Sequence, residues 1–359
     1  MCQQHVKISH TAVSLLFAFL AGCSGGGGGG ATDSSVNDRW LIPTSNVVDG
    51  GPGKDGIPAL EQPNFALATA VTAVQPDDLV VVVRDRTQVK AYPEDIMDYH
   101  EIVNDGSTDD PFVVSYCPLT ASAIGWKGKV ADANPTFGVS GLLYNSNLLL
   151  YDRQTDTVWS QMLQTAVNGP RIGQRAEAVQ IIETKFSTLR SMYPDALVMT
   201  RDTGHVRNYD NYPYGDYRES GELLFRTAPR APLLHAKERA IGIHSQSTAK
   251  IYQIAGFGDT TQVINEQFEG QSIVVVGNTA LDLAAIYNRE LPDGTILSMN
   301  PIQGDLPNIM TDTEGNVWDV FGTAVSGPRA GEQLAPVLAY TAMWFAWAAH
   351  FSDVQIHFN

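Results

Sequence analysis

Residues 158–173 read VWSQMLQTAVNGPRIG and residues 317–331 read VWDVFGTAVSGPRAG. Val158-Trp159, Thr165-Ala166-Val167, Gly169-Pro170-Arg171 and Gly173 recur as Val317-Trp318, Thr323-Ala324-Val325, Gly327-Pro328-Arg329 and Gly331, in the same order and in register to within one residue. Upstream, Val89-Lys90-Ala91-Tyr92 pairs with Ala249-Lys250-Ile251-Tyr252. Ile102-Val103-Asn104-Asp105 pairs with Val263-Ile264-Asn265-Glu266, and Phe112-Val113-Val114 with Ile273-Val274-Val275. The offset stays near 160 residues, far beyond the roughly 20–50-residue period of solenoid arrays. The pattern predicts two whole tandem units, 40–225 and 226–359.

Within each unit the apolar runs are short, alternating or continuous, and bounded by turn residues, which is strand patterning. Strands are expected over Leu79–Val83, Gln88–Tyr92, Pro111–Tyr116, Leu142–Tyr151, Val179–Ile182, Ile241–His244, Ser272–Val276 and Val354–Phe358. A helix is expected over Thr184–Met192, opening on a capping Thr and closing before Tyr193-Pro194, with a counterpart over Thr341–His350. The fold class is β-rich α+β, each unit a mainly antiparallel sheet with a few short helices. Trp344, Phe345 and Trp347 of the last helix read as core rather than as a ligand-binding stripe.

The 359 residues carry 23 Lys plus Arg against 39 Asp plus Glu, a formal charge of −16. Such a chain is repelled by phosphate backbones, so nucleic acid is excluded as the leading partner. After residue 22 no apolar run approaches the roughly 18 residues of a spanning helix. Residues 1–22 read as an export signal, and Leu20-Ala21-Gly22-Cys23 resembles the lipobox of bacterial lipoproteins. Cleavage before Cys23 would make it the first mature, acylated residue. Each buried acyl methylene adds about 0.8 kcal/mol, so the chain is expected to be membrane-anchored through lipid on Cys23 without spanning. Ser24 in place of Asp points to the outer membrane, facing the periplasm. Residues 23–39, with Gly25–Gly30, read as a flexible leash.

Once Cys2 leaves with the signal and Cys23 is acylated, the mature domain keeps a single thiol, Cys117, and no internal disulfide. Several motifs fail on inspection. His100-Glu101-Ile102-Val103-Asn104 begins like a zincin HExxH but puts Asn at the second ligand position. Gly138-Val139-Ser140-Gly141 lacks the last Gly of a nucleophile elbow, since residue 142 is Leu. Asp105–Asp110 lacks the distal Glu of a calcium loop and reads as a solvated hairpin turn. No Gly-rich phosphate loop precedes a helix.

What remains is Phe112-Val113-Val114-Ser115-Tyr116-Cys117-Pro118-Leu119-Thr120-Ala121-Ser122-Ala123, an apolar strand ending at a cysteine. A cysteine facing unpaired backbone N–H groups at such a junction is a candidate thiolate or metal ligand. His100, one hairpin away, is a candidate base or second ligand. The repeat aligns Cys117 with Asn278 and His100 with Thr261, so the second unit keeps the scaffold and lacks both. A buried, inert thiol is the competing reading.

At these residues the chain resembles a bacterial family known only as domain-of-unknown-function family 3179. The likeness rests on Lys54-Asp55-Gly56-Ile57-Pro58-Ala59, His100-Glu101-Ile102-Val103-Asn104-Asp105, Tyr116-Cys117-Pro118-Leu119, Phe137–Ser146, Tyr151–Thr155 and Trp159-Ser160-Gln161. The resemblance implies a cell-envelope protein without an assigned activity. In the family Cys-Pro-Leu is usually followed by a second Cys and a Gly, and some members carry selenocysteine, which implies a redox or soft-metal site. Here Thr120 and Ala121 stand in those places, so no dithiol cycle is available within the motif.

Three functions follow as expectations. The first is monothiol chemistry with a thiol partner protein, using Cys117 as nucleophile, His100 as base and Thr120 as hydroxyl donor, or a transition metal ion held by Cys117 and His100. The second is a non-catalytic module binding a metal or small-molecule ligand in a cleft between the units, lined by Arg153, Gln154, Trp159 and Gln161. The third is a structural envelope protein that has lost the family's site.

Overall fold

A computed structural model describes residues 4–7, 39–130, 133–229 and 232–358. The lipidation site Cys23, nearly all of the leash and, apart from Gln4–Lys7, the export signal lie outside the described residues. Gln4–Lys7 pairs antiparallel with Asp353–His357. The described residues form five mostly antiparallel sheets and three short α-helices, α1 (Glu94–His100), α2 (Phe186–Met192) and α3 (Trp344–His350). None of the described helices is long and apolar enough to cross a membrane.

The strands form where the apolar runs are, and the longest are buried on both faces. In Leu79–Asp85, Val80 and Val82 join one core cluster while Val81 and Val83 join another. In Gln271–Asn278, Val274 and Val276 face the first of these and Ile273 and Val275 a further one. Alternation with period two on a fully covered strand produces a continuous Val/Ile run. Each such side chain contributes about 1.5–3 kcal/mol by leaving water.

The same order of elements occurs twice along the chain. Strands Leu79–Asp85 and Gln88–Pro93 lead into a helical turn (α1), then the meander Ile102–Gly106, Pro111–Cys117, Ser122–Lys127. Arg239–His244 and Thr248–Gln253 likewise lead into a helical turn, then Gln262–Phe268, Gln271–Asn278, Leu283–Asn288. One sheet contains Ile181–Lys185, Leu79–Asp85, Gln88–Pro93 and Leu197–Met199 in that order, the last pair parallel. Another contains Ala339–Met343, Arg239–His244, Thr248–Gln253 and Asp353–His357, again with the last pair parallel.

Side-chain contacts recur with the strands. Tyr92 donates to Asp105 (2.7 Å) with Lys90 alongside, and Tyr252 donates to Glu266 (2.5 Å) with Lys250 alongside. The Asn104 side chain exchanges two hydrogen bonds with the backbone of Phe137, and Asn265 does so with Met299. The Trp159 indole donates to Asp152 and that of Trp318 to Asp312.

The two halves interlock. The meander ending in Leu283–Asn288 joins the sheet of Ile181–Lys185 through Glu183 and Ala284, giving an eight-stranded sheet. Reciprocally, Met343 donates its N–H to Thr120 O (2.8 Å). Trp344, Phe345 and Trp347 are core residues, packed in the same cluster as Cys117, Trp126, Phe137 and Trp159.

Some boundaries differ from the sequence reading. Thr184 lies in the strand Ile181–Lys185 and its hydroxyl donates to Leu281 O (2.7 Å), so α2 starts at Phe186 without a side-chain cap. Thr341 is likewise in a strand, and α3 starts at Trp344. Leu142–Tyr151 is two strands, split at Asn145-Ser146, both at positive φ. Asp105 belongs to a strand and is buried against Lys90 and Tyr92 instead of lying in a solvated turn. Between Met199 and Arg239 the described chain has neither helix nor strand; this segment runs over α1 and the turn after Cys117.

Candidate functional site

Cys117 ends the strand Pro111–Cys117, and the turn to Ser122–Lys127 has Ala121 at φ 43°. The thiol is 1% exposed and its Sγ faces Ser146 O at 3.8 Å. Burial pushes its pKa up to about 11, helped by the Glu101 carboxyl and opposed by the Thr120 hydroxyl and the Leu148 and Leu119 amides. The expected donors are therefore in place at the sulfur, but loss of water outweighs them.

Thr120 belongs to a sealed polar network. Its hydroxyl meets Ser122 Oγ (2.8 Å) and accepts from Asn147 (3.0 Å). Asn147 also donates to Gln161 Oε1 (2.7 Å), and the Gln161 amide donates to Ser115 Oγ and Ser122 O (both 3.1 Å). Every polar atom of Gln161 thus has a partner inside the protein, which marks a structural bracket.

His100, the expected base, is engaged elsewhere. Its Nδ1 lies 2.8 Å from Pro58 O, which can only accept, so Nδ1 carries the proton and Nε2 accepts from Tyr209 (2.7 Å). Burial lowers its pKa to about 4, so it is neutral at pH 7. The group beside Cys117 is instead the next residue, Glu101, whose backbone O accepts from Tyr116 N (2.7 Å). Among the described residues no set of three or more His, Cys, Asp or Glu is placed to hold a metal ion, and the structure does not bring Cys117 and His100 together as a ligand pair.

The other predicted binding residues do not share a cleft. Trp159 is in the core, edge-on to Phe137. Arg153 is at the surface, paired with Glu61 and, at 3.5 Å, Asp55, and Gln154 accepts from Arg171 (3.1 Å).

Sequence reading passed over the acidic stripe of α1. Pro93 and the acids Glu94 and Asp95 start this helix, as the helix dipole favours. Glu94, Asp98 and Glu101 follow at i, i+4 and i+7 and are all at most 6% exposed. Tyr116 donates to Glu94 (2.9 Å), and Arg218 pairs with Asp98 (2.7 Å) and Glu94 (3.7 Å). Burial raises Asp98 and Glu101 each to about 8, Asp98 despite Arg218, and Glu101 with Asp98 adding to the rise.

The family model described as Protein of unknown function (DUF3179) matches residues 54–354. The chain belongs to this family. No curated protein and no solved structure matches it. The DUF3179 motif residues occupy definite places: Cys-Pro-Leu forms the turn at Cys117, and His100-Glu101 closes α1 beside it. The Gly50-Gly51-Pro52 stretch packs against Gly141, which has φ +79° and where a Cβ would lie 2.5 Å from the Gly53 carbonyl carbon. Only glycine admits that approach. Tyr212 and Tyr217 cover the turn, donating to Pro118 O (3.1 Å) and Leu119 O (3.0 Å).

Proposed function

We propose that this DUF3179 protein is a lipid-tethered envelope protein that works by binding a small ligand, without thiol turnover, and that it consists of two tandem copies of one β-rich unit, 40–225 and 226–359. The observation that sets thiol turnover aside is the state of Cys117, buried under Tyr212 and Tyr217 with its pKa pushed to about 11. A nucleophilic cysteine needs the opposite, an accessible thiol with a depressed pKa. The observation that supports binding is the slot beside it, lined by Leu119, Tyr214 and the buried Glu101. The recurring Lys-Tyr-acid and Trp-Asp contacts support the tandem copies. The signal-like residues 1–22 and Cys23 support the tether.

Monothiol chemistry remains the second reading, favoured by the Thr120, Leu148 and Leu119 donors at the sulfur. Alkylation of Cys117 in the native protein decides between the two. The binding reading expects modification between pH 6 and 8 only as fast as unfolding permits. A native rate above that of the denatured chain below about pH 7 would overturn it. Metabolic labelling with palmitate tests the tether: Cys23→Ser should abolish the label and release the protein from membranes.

A further inference from the structure

We propose that the slot above the Cys-Pro-Leu-Thr turn binds the ammonium group of a small primary amine, with Glu101 as its counter-ion. The inference deepens the binding reading by naming a site and a ligand class. The slot is walled by Leu119, Val139, Leu148, Tyr214 and Phe225, and Glu101 is the one carboxyl in its lining.

The stripe on α1 shows what is missing. Asp98 pairs with Arg218, and Glu94 accepts from Tyr116 through Oε2, with Arg218 nearby, while its Oε1 has no partner among the described residues. Glu101 is 4% exposed, and among the described residues its carboxyl accepts no hydrogen bond and no cation offsets its burial. Its side chain opens onto the slot, whose other walls are aliphatic or aromatic. A buried carboxyl without a donor is costly, and natural sites leave one where a ligand supplies the partner.

Size and chemistry select the ligand. The cavity is about 50 Å³, room for roughly three water-sized groups, which suits an ammonium on a short alkyl chain. Three N–H donors on one cation answer two carboxylate oxygens. Tyr214 and Phe225 line the same slot, and aromatic rings attract a cation placed over their faces. A metal ion is disfavoured because Glu101 is the only His, Cys, Asp or Glu in the lining.

The test is titration of the purified full chain with n-propylammonium chloride in 0.15 M NaCl at pH 7.5, followed by calorimetry and by ligand-observed NMR. n-Propanol, its neutral isostere, and sodium propionate, an anion of similar length, serve as controls. Saturable propylammonium binding, at least tenfold tighter than either control and weakened at least tenfold in Glu101→Gln, is the expected result. Phe225→Ala, on the irregular segment, should weaken it severalfold and provides a second variant should Glu101→Gln fold poorly. Equal binding of propanol, undiminished binding in Glu101→Gln, or no binding of propylammonium would each overturn the proposal. Alkylation of Cys117 is read on the wild-type chain without ligand, so the binding reading stands or falls separately.

Discussion

Two hairpin turns, 117–122 and 278–283, share a backbone course and differ in nearly everything else. Ala121 (φ 43°) and Asp282 (φ 48°) hold the same left-handed position. In the first turn every residue is buried, tied to the network of Asn147 and Gln161 and roofed by Tyr212 and Tyr217. In the second, Asn278 Oδ1 caps Leu281 N (3.2 Å) and Asp282 reaches the edge to pair with Arg239 (2.7 Å). One scaffold therefore supports either a sealed polar interior or an ordinary ion-paired turn. The deciding factor is the irregular segment that lies over the first and not the second.

Exchanging the two chemistries should break the comparison most severely. Ala121→Asp places a carboxylate in a turn that is sealed, and is expected to destabilise by about 3–5 kcal/mol in urea unfolding. Asp is tolerated at positive φ, so strain is not the cause. Asp282→Ala removes a part-exposed ion pair while Arg239 keeps Glu183, and should cost only about 1 kcal/mol. Equal losses would show that burial does not distinguish the turns.

The network comes next. Gln161→Leu leaves Ser115, Ser122 and Asn147 short of partners, an expected loss of about 2–3 kcal/mol. The aligned position in the second half is already apolar, Val320, so Val320→Ala should show only a cavity-sized effect of about 1–3 kcal/mol with no change in amide exchange at the turn. Removing the roof is smaller still. The double variant Tyr212→Phe, Tyr217→Phe deletes two hydrogen bonds and should cost about 1–3 kcal/mol, yet raise native alkylation of Cys117 at least tenfold.

The smallest effect is one of pH. Asp98 and Glu101 flank only the first turn, and both have folded pKa values raised to about 8. A carboxyl raised on folding lends stability that is complete below its unfolded pKa and is lost as pH rises through the folded one. His100, lowered to about 4, acts in the opposite sense, losing stability as pH falls below about 6.5. Between pH 7 and 9 the histidine is neutral in both states, so urea midpoints should fall with rising pH, and fall less in Glu101→Gln.

Much of this fold was legible from periodicity. Continuous runs such as Leu79–Val83 and Ser272–Val276 are strands because both faces are covered. The helix starts differ because Thr184 and Thr341 are β-branched and lie within strands, a tertiary outcome that capping rules alone do not foresee. At the site, Cys117 and Thr120 do adjoin, as their place in one turn requires. His100 suits base chemistry by residue type, but α1 ends at His100 and its ring meets Pro58 and Tyr209 instead of the thiol. The covering segment had no periodic signal, so the burial of the thiol could not be read from spacing.

The interlocked sheets bear on how the chain is made. It leaves the ribosome amino end first. The core around Cys117 is completed by Tyr340, Trp344, Phe345 and Trp347, which emerge long after it. Until they arrive, the early half has apolar surface with nothing to close it. The arrangement delays completion of the early core until the later half has been made.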